Sequence, residues 1–331
     1  MPELTLVEAV RLALGRALAD DPSVVLFGED VGIDGGVFRA TDGLVQRFGS
    51  GRVCDTPLSE AVIAGIAVGL AAAGMRPIAE IQFMGFIYPA IDQLVNHAGR
   101  LRTRTRGRLS CPMVLRAPFG GGIHAPEHHS ESAGAMLAHI PGIRVVIPSS
   151  PARAYGLLLA AIRDPDPVVF LKPKRLYRAL REEVSDDGVA LPLDRAFVLR
   201  PGTDLSFITW GAMVKETLAA AADLAREGIA AEVIDLATLR PLDEATVVES
   251  VRKTGRAVIV HEAALTGGLG GELAARLAER ALTALLAPIR RVAGYDTVMP
   301  LPRLKEHYMP TVARIARAGR ETVGHLENLW R

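Results

Sequence analysis

The sequence predicts a two-domain α/β protein with mainly parallel sheets. At 331 residues the chain is too long for one typical core. Short runs rich in Val, Ile and Leu alternate with helical patterns, as expected of parallel strands covered on both faces. Across 181–194 this rhythm lapses into REEVSDDGVALPLD, a charged stretch with glycine and proline that reads as a linker. The expected division is a domain at 1–180, a linker at 181–195 and a domain at 196–331.

The elements follow in order. Residues 4–21, LTLVEAVRLALGRALADD, keep helical spacing, and no charged leader with an apolar core and cleavage site precedes them, so a soluble cytoplasmic protein is expected. Residues 23–27 form a strand that ends at Gly28-Glu29-Asp30. Pro57 and Ser59 open helices, and the residues after Glu60 stay small or apolar through Ala72, which predicts a buried helix from about Ser59. Its glycines make it a core helix, since a membrane span needs about 20 consecutive apolar residues. Strands are expected at 78–83, 113–116, 145–147 and 168–171. After the linker come strands at 205–209, 231–235, 257–260 and near 289–292, with a clear helix at 215–226.

Composition narrows the function classes. Lys and Arg number 38 against 37 Asp and Glu, so nothing supports a general polyanion-binding role. Cys54 and Cys111 are far apart in apolar settings and imply neither a disulfide framework nor a cysteine metal site, which fits a reducing compartment. The basic stretch from Arg100 to Arg108 lacks the interleaved aromatics of a nucleic-acid surface and reads as a subunit contact or a surface for an acidic partner. Gly267-Gly268-Leu269-Gly270-Gly271 lacks a GxxxxGK[ST] pattern and reads as a tight loop opening a helix. His124 and His128 have helical metal-ligand spacing, but Pro126 and Gly120-Gly121-Gly122 argue against a continuous helix and hence against zinc; a polar surface loop is the plain reading.

Glu60 heads the otherwise almost uncharged run after Asp55-Thr56-Pro57-Leu58-Ser59. As a first-turn acid it suits the helix dipole without any further role. Its surroundings, however, resemble one family, and so do VVLFGEDVGIDGGVFRATDGL, AEIQFMGFIYPAIDQLVN, PFGGGIHAPEHHSES, IRDPDPVVFLKPKRLYR, TGRAVIVHEAALTGGLGGEL and VAGYDT, in that order along the chain. The family is the beta subunit of thiamine-diphosphate-dependent 2-oxoacid dehydrogenases, the decarboxylating first component of those complexes.

The resemblance implies a thiamine-diphosphate pyrimidine-binding fold followed by a transketolase C-terminal-like fold. It implies that Glu60 hydrogen-bonds the ring nitrogen of the cofactor's aminopyrimidine, favouring the imino tautomer whose nitrogen takes the thiazolium C2 proton. A dry carboxylate of raised proton affinity suits that work. Leu58, Gln82 and Phe86 match positions lining the pyrimidine pocket, with Phe86 replacing a residue that is often tyrosine; for Leu58 and Phe86 the alternative is core packing. His129 matches a histidine that faces the reacting centre and handles the substrate and the lipoyl group. Asp164 and Asp166, with the carbonyls of Met113, Ala161 and Ile162, fall where relatives bind potassium, although Asp-Pro-Asp-Pro is turn chemistry by itself.

A Gly-Asp-Gly followed by asparagine, which holds metal and diphosphate in single-chain relatives, is missing: Asn96 and Asn328 are the only asparagines, and neither follows such a segment. The resemblance assigns that half-site, with its Mg2+, to an alpha subunit in an α2β2 heterotetramer. The implied reaction decarboxylates a 2-oxoacid and reductively acylates lipoyl-lysine on an acyltransferase. Branched-chain oxoacids come first as substrate, with pyruvate or acetoin enzymes as alternatives. A non-catalytic docking scaffold is the reading from another class, and Glu60 and His129 argue against it.

Overall fold

The computed structural model describes residues 2–325; Met1 and 326–331, Asn328 among them, lie outside the described residues. Packing divides the chain into two units, one formed by residues up to 119 with 136–193, the other by 120–135 with the chain from 194 onward. Both are α/β with mostly parallel sheets.

In the first unit six parallel strands, β1 (Val24–Gly28), β2 (Val53–Asp55), β3 (Arg76–Glu80), β4 (Val114–Phe119), β5 (Arg144–Val146) and β6 (Val168–Pro173), run in the order β5-β6-β4-β3-β1-β2. Every residue of β1, β4 and β6 is buried, and apart from Arg116 and Lys172 these segments are apolar, as expected of strands covered on both faces. The helices are α1 (Leu6–Asp20), α2 (Glu60–Ala72) and α3 (Pro151–Arg163). Thr5 and Glu8 form a reciprocal capping box that starts α1, and Ser150 with Pro151 starts α3. The apolar stripes of α1 and α3 pack together against the sheet.

Three expectations change here. The strand placed at 78–83 is Arg76–Glu80, and the chain then leaves the sheet through short 3-10 turns at Met84–Phe86 and Tyr88–Ala90, so Gln82 and Phe86 stand on a loop beyond the strand end. Helix α2 is buried only along Ile63, Ala64, Ala67 and Ala71, while Val62 is 55% and Ile66 43% exposed. A run apolar on every side carries no periodicity to say which face the chain covers. The segment 181–193 is also no free linker: Glu182–Glu183 pairs antiparallel with Glu3–Leu4, Leu191 N–H donates to Gly156 O at 3.0 Å, and Tyr155 Oη donates to Asp186 at 2.7 Å.

The second unit carries β7 (Phe197–Arg200), β8 (Leu205–Thr209), β9 (Ala231–Asp235), β10 (Ala257–Ala264) and β11 (Arg290–Gly294) in the order β11-β10-β8-β9-β7, with β7 alone antiparallel. Its main helices are α4 (Met213–Arg226), α5 (Glu244–Thr254), α6 (Leu269–Ala281) and α7 (Val312–Val323). The glycine run at 267–271 does open a helix, α6, capped at Gly268. Its small residues let the helix end lie against buried His261, since a Cβ on Gly270 would stand 2.7 Å from His261 Nε2. That imidazole stacks on Trp210 and donates from Nδ1 to Ala263 O at 3.1 Å.

Candidate active site

In the first unit the chemistry gathers at the carboxyl ends of β1 and β3, where open α/β sheets usually place their ligands. β1 delivers Glu29, only 7% exposed. Burial raises its carboxyl above the ordinary range, and the negative charges of Glu60 and then Asp30 push it further up. Asp30 adopts a left-handed conformation at φ 58° and accepts a hydrogen bond from Gln82 Nε2 at 2.7 Å. Asp55, closing β2, accepts from Gly32 N–H at 2.6 Å and Ile33 N–H at 3.1 Å and so fixes the loop after Asp30.

The floor is ionic and aromatic. Glu80 accepts from Lys172 Nζ through both oxygens at 3.1 Å and pairs with Arg116, all three being buried. Burial, helped by the Arg116 charge and opposed by Glu80, pushes Lys172 down to about 7. Phe83 meets Phe86 edge-on with centroids 5.8 Å apart and Phe38 at 5.6 Å, and Phe38 meets Tyr177 at 5.0 Å.

Glu60 occupies the first turn of α2 behind Ser59, which makes no side-chain cap bond. It is half-buried rather than dry, and the desolvated carboxyl of the pair is Glu29. Leu58 is 78% exposed, so core packing does not explain it. The Glu60 charge is one reason, after burial, that the Glu29 carboxyl holds its proton more tightly than an isolated carboxyl would. The first unit thus brings together Glu60, Gln82 and Phe86 with Glu29 and Asp30. Sequence reasoning passed over those two, although a carboxylate immediately after an apolar parallel strand marks the crevice end of a sheet.

His129 belongs to the second unit. It ends a 3-10 turn, Glu127–His129, set by His129 N–H donating to Pro126 O at 3.1 Å and Ser130 N–H to Glu127 O at 2.8 Å. His124 and His128 do not share a helix. Among the described residues no group of three or more His, Cys, Asp or Glu side chains is arranged to hold a metal ion.

The residues assigned to potassium do converge, but arginines already engage them. Met113 O accepts from Val168 N–H at 3.0 Å, and Ile162 O accepts from Arg76 Nη1 at 2.9 Å. The Asp164 carboxylate pairs with Arg144 at 2.9 Å and accepts from Asp166 N–H at 2.8 Å, and Asp166 pairs with Arg102 at 2.7 Å. With guanidinium groups on both carboxylates and on the Ile162 carbonyl, this oxygen set does not fit a bound cation as it stands.

Comparison with known proteins places this geometry in context. Residues 2–179 match the transketolase pyrimidine-binding domain and 194–315 the transketolase C-terminal domain. The pyruvate dehydrogenase E1 component subunit beta of Bacillus subtilis (strain 168) is 47% identical over 323 residues, covering 98% of this chain and 99% of that protein. The Acholeplasma laidlawii protein of the same name is 48% identical over 316 residues, covering 96% and 97%. Among solved structures, one described as a split gene transketolase, inactive beta4 tetramer, superposes with a TM-score of 0.80 at 25% identity, covering 97% of this chain and 99% of that one. A transketolase from Leishmania mexicana, with a TM-score of 0.71 at 19% identity, covers 98% of this chain and 46% of its own length and shares the fold.

Proposed function

Because the chain belongs to the family of pyruvate dehydrogenase E1 beta subunits, built from transketolase pyrimidine-binding and C-terminal domains, we propose that its substrate is pyruvate. It is the beta subunit of a 2-oxoacid dehydrogenase decarboxylating component, and thiamine diphosphate is the cofactor involved. The observation that carries the substrate reading is 47% identity sustained over 98% of the chain with a protein of that name. Branched-chain oxoacids are the second reading, favoured by HEAALTGGLGGEL at 261–273 and by AGYDT at 293–297.

The residues around the β1 end fit the pyrimidine half of the cofactor. Burial raises the proton affinity of the Glu29 carboxyl, Glu60 lies close enough for its charge to add to that rise, Gln82 adds an amide, and Phe83 with Phe86 offers flat apolar faces. When bound, thiamine diphosphate supplies the carbon nucleophile and the electron sink for loss of CO2. Glu60 would hold a hydrogen bond at the pyrimidine ring nitrogen, with Glu29, whose proton affinity burial raises, as its neighbour. Phe86 orients the ring through contact alone, and Leu58, exposed beside Glu60, borders it. His129 is assigned to substrate and acyl-acceptor handling, since an imidazole exchanges protons near neutral pH.

An alpha subunit completes the site in an α2β2 assembly and supplies the diphosphate and Mg2+ ligands, because this chain has no Gly-Asp-Gly segment. The acyl group leaves on the lipoyl-lysine of an acyltransferase. The boundary between the domains falls at 181–195, a segment carried on the first unit up to 193, between matched ranges that stop at 179 and resume at 194. The test is to co-purify the chain with its alpha subunit and compare kcat/KM for pyruvate, 3-methyl-2-oxobutanoate and acetoin. Pyruvate is expected to lead; a clear preference for the branched substrate would replace it.

A further inference from the structure

In the second unit the segment carrying His129 leaves and rejoins the body through one neck. Gly120 N–H donates to Glu131 O at 2.9 Å and closes residues 120–131 into a loop whose tip holds the Glu127–His129 turn. Both sides of that neck rest on one side chain of β10, Glu262, which is 5% exposed. On one side Ser132 Oγ donates to Glu262 Oε1 at 2.6 Å. On the other, Gly120 adopts φ +84° and packs its bare Cα against the same carboxylate, so that a Cβ there would run into Oε1. Any other residue at 120 would suffer both the strained backbone and this collision.

The rest of the stem makes contacts away from Glu262. Gly121 lies against Met299, and Lys305 Nζ donates to Gly122 O at 3.4 Å. Beside the neck is a cavity of about 280 Å³, bordered by Glu127, Ser130, Glu131, Met299 and Tyr308 as well as Glu262. The loop therefore has space to shift if the neck is released. A hydrogen bond to a buried carboxyl makes a stiff attachment, because little water can reach the pair to replace it.

We infer that Glu262 is a positioning residue: through Ser132 and Gly120 it fixes the neck of the loop and so sets where the His129 imidazole stands. The inference rests on the role proposed for His129, and the test separates the two. In the assembled complex with its alpha subunit, amide hydrogen exchange over 120–132 is measured for the wild type, Ser132→Ala, Glu262→Ala and Glu262→Gln. Exchange should quicken by about tenfold or more in the two alanine variants, as expected for losing a hydrogen bond to a buried charged group. Glu262→Gln, whose amide oxygen still accepts from Ser132, should stay near the wild type.

Reductive acylation of the lipoyl acceptor should fall in Ser132→Ala more than decarboxylation followed with an artificial electron acceptor, and adding Ser132→Ala to His129→Ala should cause no further loss. Unchanged exchange in Glu262→Ala would overturn the latch, and losses that multiply with His129→Ala would overturn its action through His129. If His129→Ala alone alters neither assay, the role given to His129 fails and the catalytic consequence with it, while the exchange measurement still decides whether Glu262 holds the loop.

Discussion

Glu60 and Glu29 approach the same crevice from different elements, one at a helix start and one past a strand end, and the Glu60 charge adds to the burial that disfavours ionisation of Glu29. Glu60→Gln keeps the shape and removes the carboxylate, so decarboxylation by the assembled enzyme should fall by on the order of 10²–10⁴-fold, the usual weight of a positioned acid or base. Near-normal turnover with cofactor saturating would leave Glu60 a first-turn acid only. His261 offers a separate test in the second unit. Burial pushes its imidazole down to about 4 from 6.5, so it is neutral in the fold. Between those two pH values the unfolded chain binds more protons, and stability should fall by on the order of 3 kcal/mol as pH drops from 7 to 4 on this account. Denaturant unfolding across that range should show a shallower pH dependence in His261→Gln; an unaltered slope would mean that the wild-type imidazole is not held neutral. Glu60 was legible in the sequence because a lone charge stood in an uncharged run. Glu29 was not, because its burial depends on how the end of β1 is covered in the folded unit, which the local sequence does not encode.

At the scale of elements, the turn after α3 shows chain chemistry standing where relatives are expected to hold an ion. Arg76, Arg102 and Arg144 converge on the Ile162 carbonyl and on Asp164 and Asp166. A cation that bound the folded chain would raise its melting temperature with concentration. The expected outcome is the same melting temperature in potassium and in a bulky monovalent cation at equal ionic strength. Arg76→Met, which strips the buried Ile162 carbonyl of its donor, should cost about 1–3 kcal/mol. A potassium-dependent rise in the wild-type melting curve would restore the ion. The buried strands β1, β6, β8 and β9 were legible within a residue or two, because fully buried parallel strands spell themselves as largely apolar runs, whereas β4, read at 113–116, continues three residues further to Phe119. The three-residue edge strand β2 and the half-exposed antiparallel β7 were missed, since neither has such a run. The arginine contacts at 76, 102 and 144 were invisible for another reason: they join residues 20 to 86 positions apart.

For the molecule as a whole, the exposed apolar surface has the same implication as the missing half-site. Leu58, Val62 and Ile66 surround the start of α2, and Val298, Leu301 and Leu304 cluster within the second unit; all are exposed large hydrophobic residues. Large apolar side chains left exposed in this way suit a surface that a partner covers. One of these patches borders Glu60, so a partner covering α2 would also remove water from around the half-buried carboxylate and strengthen its interactions. In the proposed assembly, burial of Glu60, incomplete in the chain alone, would be a property of the complex rather than of the subunit. The purified chain should accordingly bind thiamine diphosphate weakly and show no decarboxylase activity. Adding the alpha subunit should restore both together, with a rise in sedimentation coefficient that tracks activity across the titration. Full turnover by the isolated chain would overturn this, because it would require the diphosphate and metal ligands to lie in a sequence with no Gly-Asp-Gly segment to provide them.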